Sequence, residues 1–277
     1  MPRISVVMPA YNSEKYIGEA IESILNQTFT DFELLVLNDS PDNKELEKIV
    51  KEYAKHDKRV KYLKNPKNLG VTKSQNKLLE VCTGEFIAHM DSDDISLPTR
   101  FEKQIEYMDK HPECGALGTW YEVFGDKKCT LRFPANVTIL KLLQGCCICN
   151  PTAFIRKSVL DKNNLKYDEK YTYSEDYELW ARMAFLTEIH NLEKVLFKYR
   201  WHKNNISVEH EKTQKELSNK VKQNILNKLT NDKDQQKLLL GGLKPGILLP
   251  KWMGRIICLF IFKRSARHNF RDKYVKD

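Results

Sequence analysis

Four short apolar runs punctuate the first ninety residues, at 4–8, 34–37, 60–63 and 86–90. A stretch with helical spacing separates each run from the next. Tyr16, Ile17, Ala20, Ile21, Ile24 and Leu25 repeat on one face of the first stretch, and Asn12 or Ser13 is placed to cap it. Leu46, Ile49, Val50 and Tyr53 mark the second stretch, and the third runs from the turn at 65–70 through Leu78 and Leu79. This β-α-β-α-β-α-β alternation predicts an α/β fold with a mostly parallel, Rossmann-like sheet, helices on both faces and right-handed crossovers.

In such a sheet, ligands sit at the carboxyl ends of the strands. The fourth run stops there at Asp91-Ser92-Asp93-Asp94, and the second at Asn38-Asp39-Ser40. Three acids within four residues repel one another unless a cation neutralises them. Oxygen ligands of this kind suit Mg²⁺ or Mn²⁺, completed by substrate phosphates. The competing reading of each acid is a turn or a helix cap. Neither a G-x-G-x-x-G nor a Walker sequence is present, so a nucleotide has to be held by strand-end acids and a metal. After the first run, Pro9-Ala10-Tyr11-Asn12 puts an aromatic ring at the same rim.

Charge is unevenly spread. Residues 251–277 hold eight Lys or Arg against two Asp, a net +6 of the chain's +9. The remainder is nearly neutral, which argues against a nucleic-acid surface and for a local anionic partner. The apolar stretches at 246–253 and 256–262 are interrupted by Pro250, Lys251 and Arg255. A spanning helix needs about 20 consecutive apolar residues. An interfacial segment on an anionic membrane, or a helical pair packed on the domain, fits this tail. The seven cysteines show no disulfide or zinc spacing, and Cys146, Cys147 and Cys149 read as small buried side chains. With a strand-like N-terminus in place of a signal peptide, the expected compartment is the cytoplasm, with peripheral contact at its membrane face.

Ser5-Val6-Val7-Met8-Pro9-Ala10-Tyr11-Asn12 resembles the opening of family 2 glycosyltransferases with the GT-A fold. Residues 68–76, Asn-Leu-Gly-Val-Thr-Lys-Ser-Gln-Asn, resemble that family's second signature, and Asp91-Ser92-Asp93-Asp94 its metal motif. The ordered series spans about the first two hundred residues. It implies a catalytic domain over 1–206 and a C-terminal helical extension over 207–277. On the donor side it implies Pro9, Tyr11, Asp39 against the nucleobase, Asn68, Gly70, Lys73, Asp91 against ribose or base, and Ser92. Asp93 would hold the metal that bridges the phosphates, and Asp94 would support the loop. Two positions depart from the pattern. The usual acid pair is Asn38-Asp39, and Gln75 stands where many members carry Arg. Lys73 either replaces that charge or is a solvated surface lysine.

Glu175-Asp176 follows Ser174, a residue able to cap a helix, and acids in a first turn complement the helix dipole. In the resembled family, such a pair carries the catalytic base, which gives that role to Asp176. Glu175 then supports it, and Trp180 lines the acceptor side. A histidine after the strand at 195–201 often adds a metal ligand there, which singles out His202. The implied activity is inverting transfer of a hexose or N-acetylhexosamine from a nucleotide-diphosphate sugar, UDP-linked. The acceptor is a glycan or lipid-linked glycan in surface polysaccharide or lipooligosaccharide synthesis. Two alternatives are a sugar nucleotidyltransferase, against which the lack of a glycine-rich basic loop speaks, and a non-catalytic nucleotide-sugar-binding module.

Overall fold

The computed structural model describes residues 1–203 and 205–241; the basic tail lies outside the described residues. Strands and helices follow in the order β1 (Ile4–Ala10), α1 (Ile17–Leu25), β2 (Phe32–Asn38), α2 (Lys44–His56), β3 (Val60–Lys64), α3 (Val71–Val81) and β4 (Phe86–His89). Then come β5 (Ile95–Ser96), α4 (Arg100–Lys110), β6 (Cys114–Gly125), β7 (Cys129–Leu131), α5 (Ile139–Leu142), β8 (Phe154–Arg156), α6 (Lys157–Lys162) and α7 (Glu175–Met183). The series closes with β9 (Glu188–Trp201), α8 (Ile206–Glu209), α9 (Glu211–Leu229) and α10 (Lys233–Gly241).

The strands form one sheet in the order β3-β2-β1-β4-β8-β6-β9-β5, with β7 beside β6. The four N-terminal strands are parallel, as their alternation with helices requires. Beyond β4 the sheet turns mixed: β8 is antiparallel to β4 and β6, and β5 is antiparallel to β9, while β6 and β9 pair in parallel. The strand period of two divides the core. Val7, Leu35, Leu37 and Ile87 face α3, α7 and α9, whereas Val6, Met8, Leu34, Val36 and Ala88 face α1, α2 and α4.

At the amino-terminal edge, Glu33 is buried but fully engaged. It accepts hydrogen bonds from Ser5 Oγ (2.6 Å), Thr83 Oγ1 (2.6 Å) and Lys61 Nζ (2.5 Å). Burial alone would raise its pKa; the bonds from Lys61, Ser5 and Thr83 together outweigh it and bring the value down to about 2. Gly84 is required here, because a Cβ would lie 2.6 Å from the Ser5 backbone nitrogen.

Three local expectations change. The Ser13 carbonyl receives the first amides of α1, while its buried hydroxyl has no partner. The Ser174 hydroxyl reaches the Gln214 carbonyl on α9 (3.3 Å) and leaves the start of α7 uncapped. Trp180 is fully buried in the core beside α9, so it presents no wall to an acceptor. At Ser174 a tertiary neighbour has won over the local cap, whereas the Ser13 hydroxyl is left idle.

Candidate active site

The carboxyl edge of the sheet collects three sets of acids. At the end of β4, Asp91 and Asp93 are half-buried, while Asp94 is completely buried. Asp94 Oδ1 accepts the Arg200 backbone amide (2.7 Å), and Arg200 Nε donates to the Asp93 carbonyl (2.7 Å). Arg200 also pairs with Glu19. Strand β9 thereby clamps the acid loop, and the chain just after it brings His202 Nε2 to 3.0 Å from Asp93 Oδ2. The His202 ring stacks on Tyr16, with centroids 5.5 Å apart.

Asp39, at the end of β2, is used differently. Its carboxylate accepts Asn65 Nδ2 (2.7 Å), Leu69 N (2.8 Å) and Gly70 N (2.9 Å), which fixes the turn ahead of α3. Gly70 has φ +83°, a left-handed conformation that suits glycine. Asn68 Oδ1 accepts the same Gly70 amide (2.9 Å). Pro9 is half-buried at the end of β1, Tyr11 beyond it is exposed, and Ser92 is buried within the acid loop. Lys73 lies 3.6 Å from Glu169 on the surface. Gln75, at the position that departs from the family pattern, is buried, with Oε1 unpartnered.

The third set opens α7. Asp176 is half-buried and accepts its neighbour's amide, Tyr177 N (2.7 Å). Glu175 is buried, and its Oε2 has no partner. The preceding segment is pinned from two sides, through Thr172 Oγ1 to Thr72 Oγ1 (3.0 Å) and through Ser174 to α9. Between those anchors Tyr173 adopts φ +79° and stacks on His210 at 3.8 Å. Asn76 grips the backbone of Tyr167 at both N and O, and the Tyr167 hydroxyl lies 3.0 Å from His89 Nε2. The second signature, the β4 strand and the approach to α7 are therefore tied together.

One electric field joins these acids. Burial, then the charges of Asp93 and Asp176, pushes Asp91 up to about 7. Burial, then Asp93 and Asp91, raises Asp94 well above the usual carboxylate range. Burial followed by Asp176 lifts Glu175 to about 8. Asp176 rises to about 6 through burial, against the pull of the Tyr177 amide. A site that raises carboxylate pKa values without neutralising them is prepared for a cation or for proton transfer.

Among the described residues, no three His, Cys, Asp or Glu side chains form a ready metal cage. Asp93 with His202 supplies one oxygen and one imidazole nitrogen on a single rim. That donor set fits an ion such as Mn²⁺, whose other ligands come from phosphate and water. The cysteine loop is less buried than expected: Cys146 is exposed and Cys147 and Cys149 are half-buried, with the thiols of Cys146 and Cys147 donating to the Ile148 and Lys141 carbonyls of the same turn.

Arg200 and Arg100 were not singled out by sequence. Arg200 sits two residues before His202, and its contacts to Asp93 and Asp94 span more than a hundred residues, beyond any local pattern. Arg100 left a legible trace: it lies on the buried stripe of α4 with Phe101, Gln104, Ile105 and Met108.

The glycosyl transferase family 2 model matches residues 5–162. An uncharacterized glycosyltransferase of Methanocaldococcus jannaschii, MJ1057, is 37% identical over 217 residues, covering 72% of this chain and 71% of the relative. An Escherichia coli protein, UDP-Glc:alpha-D-GlcNAc-diphosphoundecaprenol beta-1,3-glucosyltransferase WfgD, is 33% identical over 209 residues, covering 74% and 79% respectively. Among solved structures, S. aureus TarS 1-349 in complex with UDP superposes with a TM-score of 0.66 at 21% identity, covering 99% of this chain and 75% of that one.

Proposed function

The chain belongs to glycosyl transferase family 2, and from that premise we propose that it is an inverting, UDP-sugar-dependent transferase acting on a hydroxyl of a glycan or lipid-linked glycan. The observation that carries this reading is the meeting of Asp91, Asp93 and Asp176 in one field at the carboxyl edge of the sheet. The diphosphate end of a donor belongs at the β4 rim, beside Asp93 and His202. Asp91 and the turn held by Asp39 flank the nucleoside end.

Asp176 accepts the proton of the acceptor hydroxyl. With a pKa near 6 it is ionised at neutral pH, yet more basic than an ordinary aspartate, as general-base work requires. The freed oxygen lone pair attacks the anomeric carbon from the face opposite the leaving group. The bond to the diphosphate breaks, and that bond's electrons leave with UDP. Asp93 and His202 would hold a divalent cation, which supplies charge neutralisation for the departing diphosphate. Neutral Glu175 lines the same wall without adding a second negative charge beside the base.

The UDP named for TarS and the UDP-glucose and diphosphoundecaprenol named for WfgD support the donor and acceptor classes. The apolar and basic pattern of residues 246–277 supports peripheral contact with an anionic membrane, where a lipid-linked acceptor resides. Co-sedimentation of full-length chain and chain ending at 245, with anionic and neutral vesicles at two salt concentrations, tests that contact. Equal partitioning refutes it.

The deciding experiment is a panel of nucleotide sugars, read first by thermal shift with Mn²⁺, Mg²⁺ or EDTA and then by transfer to lipid-diphosphate-linked sugars. Expected is metal-dependent stabilisation by UDP-sugars, because binding to the folded state raises stability by mass action. The expected product has inverted anomeric configuration by NMR. Release of pyrophosphate, or donor binding without turnover on any acceptor, would overturn the reading.

A further inference from the structure

Arg100 is fully buried, at the start of α4 and directly behind the acid loop. Its Nη2 donates to the His89 carbonyl (2.8 Å) at the end of β4, and its Nε donates to Gln104 Oε1 (3.0 Å). Among the described residues, Nη1 is buried with no partner. The guanidinium lies over the rings of Phe101 (5.5 Å) and Phe197 (5.1 Å). Its polar contacts are therefore neutral, and they leave one edge unused.

An isolated charge in such a place is expensive, and burial alone would favour its loss. Its field reaches the Cys149 thiol and the acids Asp94 and Asp91 of the loop. Across the loop, Asp94 Oδ2 is likewise buried and unpartnered. A buried cation with a spare donor thus lies within electrostatic reach of Asp94, a buried acid with a spare acceptor, and of half-buried Asp91. If hydrogen bonding to Gln104 and the His89 carbonyl were the whole role, a neutral amide would serve.

We infer that Arg100 is a fixed countercharge built into the fold: it holds the acid loop together before donor and metal arrive, and it sets how strongly that loop attracts a divalent cation. Arg100 is a positioning residue and touches no substrate. A permanent positive charge behind Asp91 and Asp94 stabilises the metal-free loop and weakens cation binding at its front. Diphosphate and metal then meet a loop that is already formed.

The metal part of this inference rests on the proposed function; the stability part does not, and the two are tested separately. The first experiment is a double-mutant cycle of Arg100→Met and Asp91→Asn in EDTA, followed by thermal denaturation. Arg100→Met lowers Tm, and adding Asp91→Asn recovers part of the loss, because it removes the charge left unbalanced. Losses that simply add would overturn the inference. If Arg100→Met alone fails to fold, the double variant is expected to fold, and its failure counts against the proposal equally.

The second experiment measures Mn²⁺ affinity in the presence of UDP by calorimetry. Arg100→Met binds Mn²⁺ roughly 3- to 10-fold tighter, the worth of one charge screened to nearly the extent that water screens it. Arg100→Lys, which keeps the charge, stays near the parent. A merely structural arginine predicts the reverse, since a disordered loop binds metal more weakly. A folded Arg100→Met variant with unchanged or weaker Mn²⁺ affinity overturns the countercharge.

Discussion

The two ends of the parallel strands handle buried carboxylates in opposite ways. At the amino-terminal edge, Glu33 receives bonds from Ser5, Thr83 and Lys61, and its pKa falls to about 2. At the carboxyl edge, Asp91, Glu175 and Asp176 rise to about 7, 8 and 6, with burial as the first cause in each. Glu33 and Glu175 are both buried yet shift in opposite directions, because Lys61, Ser5 and Thr83 donate to the first, while burial and the charge of Asp176 act on the second. Asp39, held by Asn65, Leu69 and Gly70, is the carboxyl edge's own brace. A fold that satisfies an acid uses it as a brace. A fold that buries acids and leaves them wanting has reserved them for something that arrives from outside.

The largest expected effect comes from removing the arriving partner's seat. Asp93→Ala abolishes transfer and the metal-dependent part of UDP binding, while circular dichroism remains that of the parent. Normal turnover of this variant in EDTA would erase the distinction between the two edges. Next, Asp176→Asn is nearly isosteric but cannot take the proton. It lowers kcat by roughly 10²–10⁴-fold, with little change in donor affinity by calorimetry. A primary loss of donor binding would instead move Asp176 to the donor side.

The pH profile should separate the edges within one molecule. Base catalysis by Asp176 requires its ionised form, so kcat falls about tenfold per pH unit below about 6. Stability follows linkage. Asp91, Glu175 and Asp176 have folded pKa values raised above the unfolded range, so their contribution is complete below about pH 4 and is lost as pH rises toward 8. Glu33 has a depressed value, so its contribution is present above about pH 4.5 and is lost as pH falls through about 2. Thermal melts of the EDTA-treated protein across pH 3–9 therefore show an optimum on the acid side of neutrality. Added Mn²⁺ with UDP flattens the alkaline decline.

Smaller effects sharpen the contrast. Glu33→Gln weakens charge-assisted bonds and costs about 1–3 kcal/mol of unfolding free energy by denaturant titration, with kcat unchanged. Glu175→Gln removes an acid that the fold keeps neutral through burial and the neighbouring charge of Asp176. It raises Tm by a few degrees at pH 8 and has no effect near pH 5. Equal effects at both pH values would show that Glu175 braces α7 in the way that Glu33 braces β2.

Much of this arrangement was legible in the chain. The runs at 4–8, 34–37 and 86–90 announced the parallel half, because buried parallel strands are mostly apolar, while the edge strand β3, broken by Lys61, was read from its place in the alternation. The family membership expected from the three signatures holds. The mixed half was less visible, since β8 is three residues long and β6 with β9 pair across an intervening α7. Ser13 and Ser174 illustrate a second limit: a hydroxyl able to cap a helix can be left idle or taken by a distant carbonyl. Trp180 illustrates a third, because a large aromatic near a base fits a core and a pocket equally well in sequence. The roles of Arg100 and Arg200 depend on which strand lies beside which, and no local spacing encodes that.

The insertion of β9 between β6 and β5 also fixes when the site is completed. On a ribosome, Asp93 and Asp94 emerge about a hundred residues before Arg200 and His202, which clamp and face them. Until then β5 and β6 have no β9 to pair with, and such edges invite pairing with other chains. Contacts this distant also slow folding, because a long loop must close before they form. A nascent chain stopped before residue 188 would carry most of the donor-side residues yet neither the clamp nor His202. On the proposed assignment, transfer activity waits until residue 202 has been made, and the interval before it is one in which a chaperone at the unpaired β6 edge would matter most.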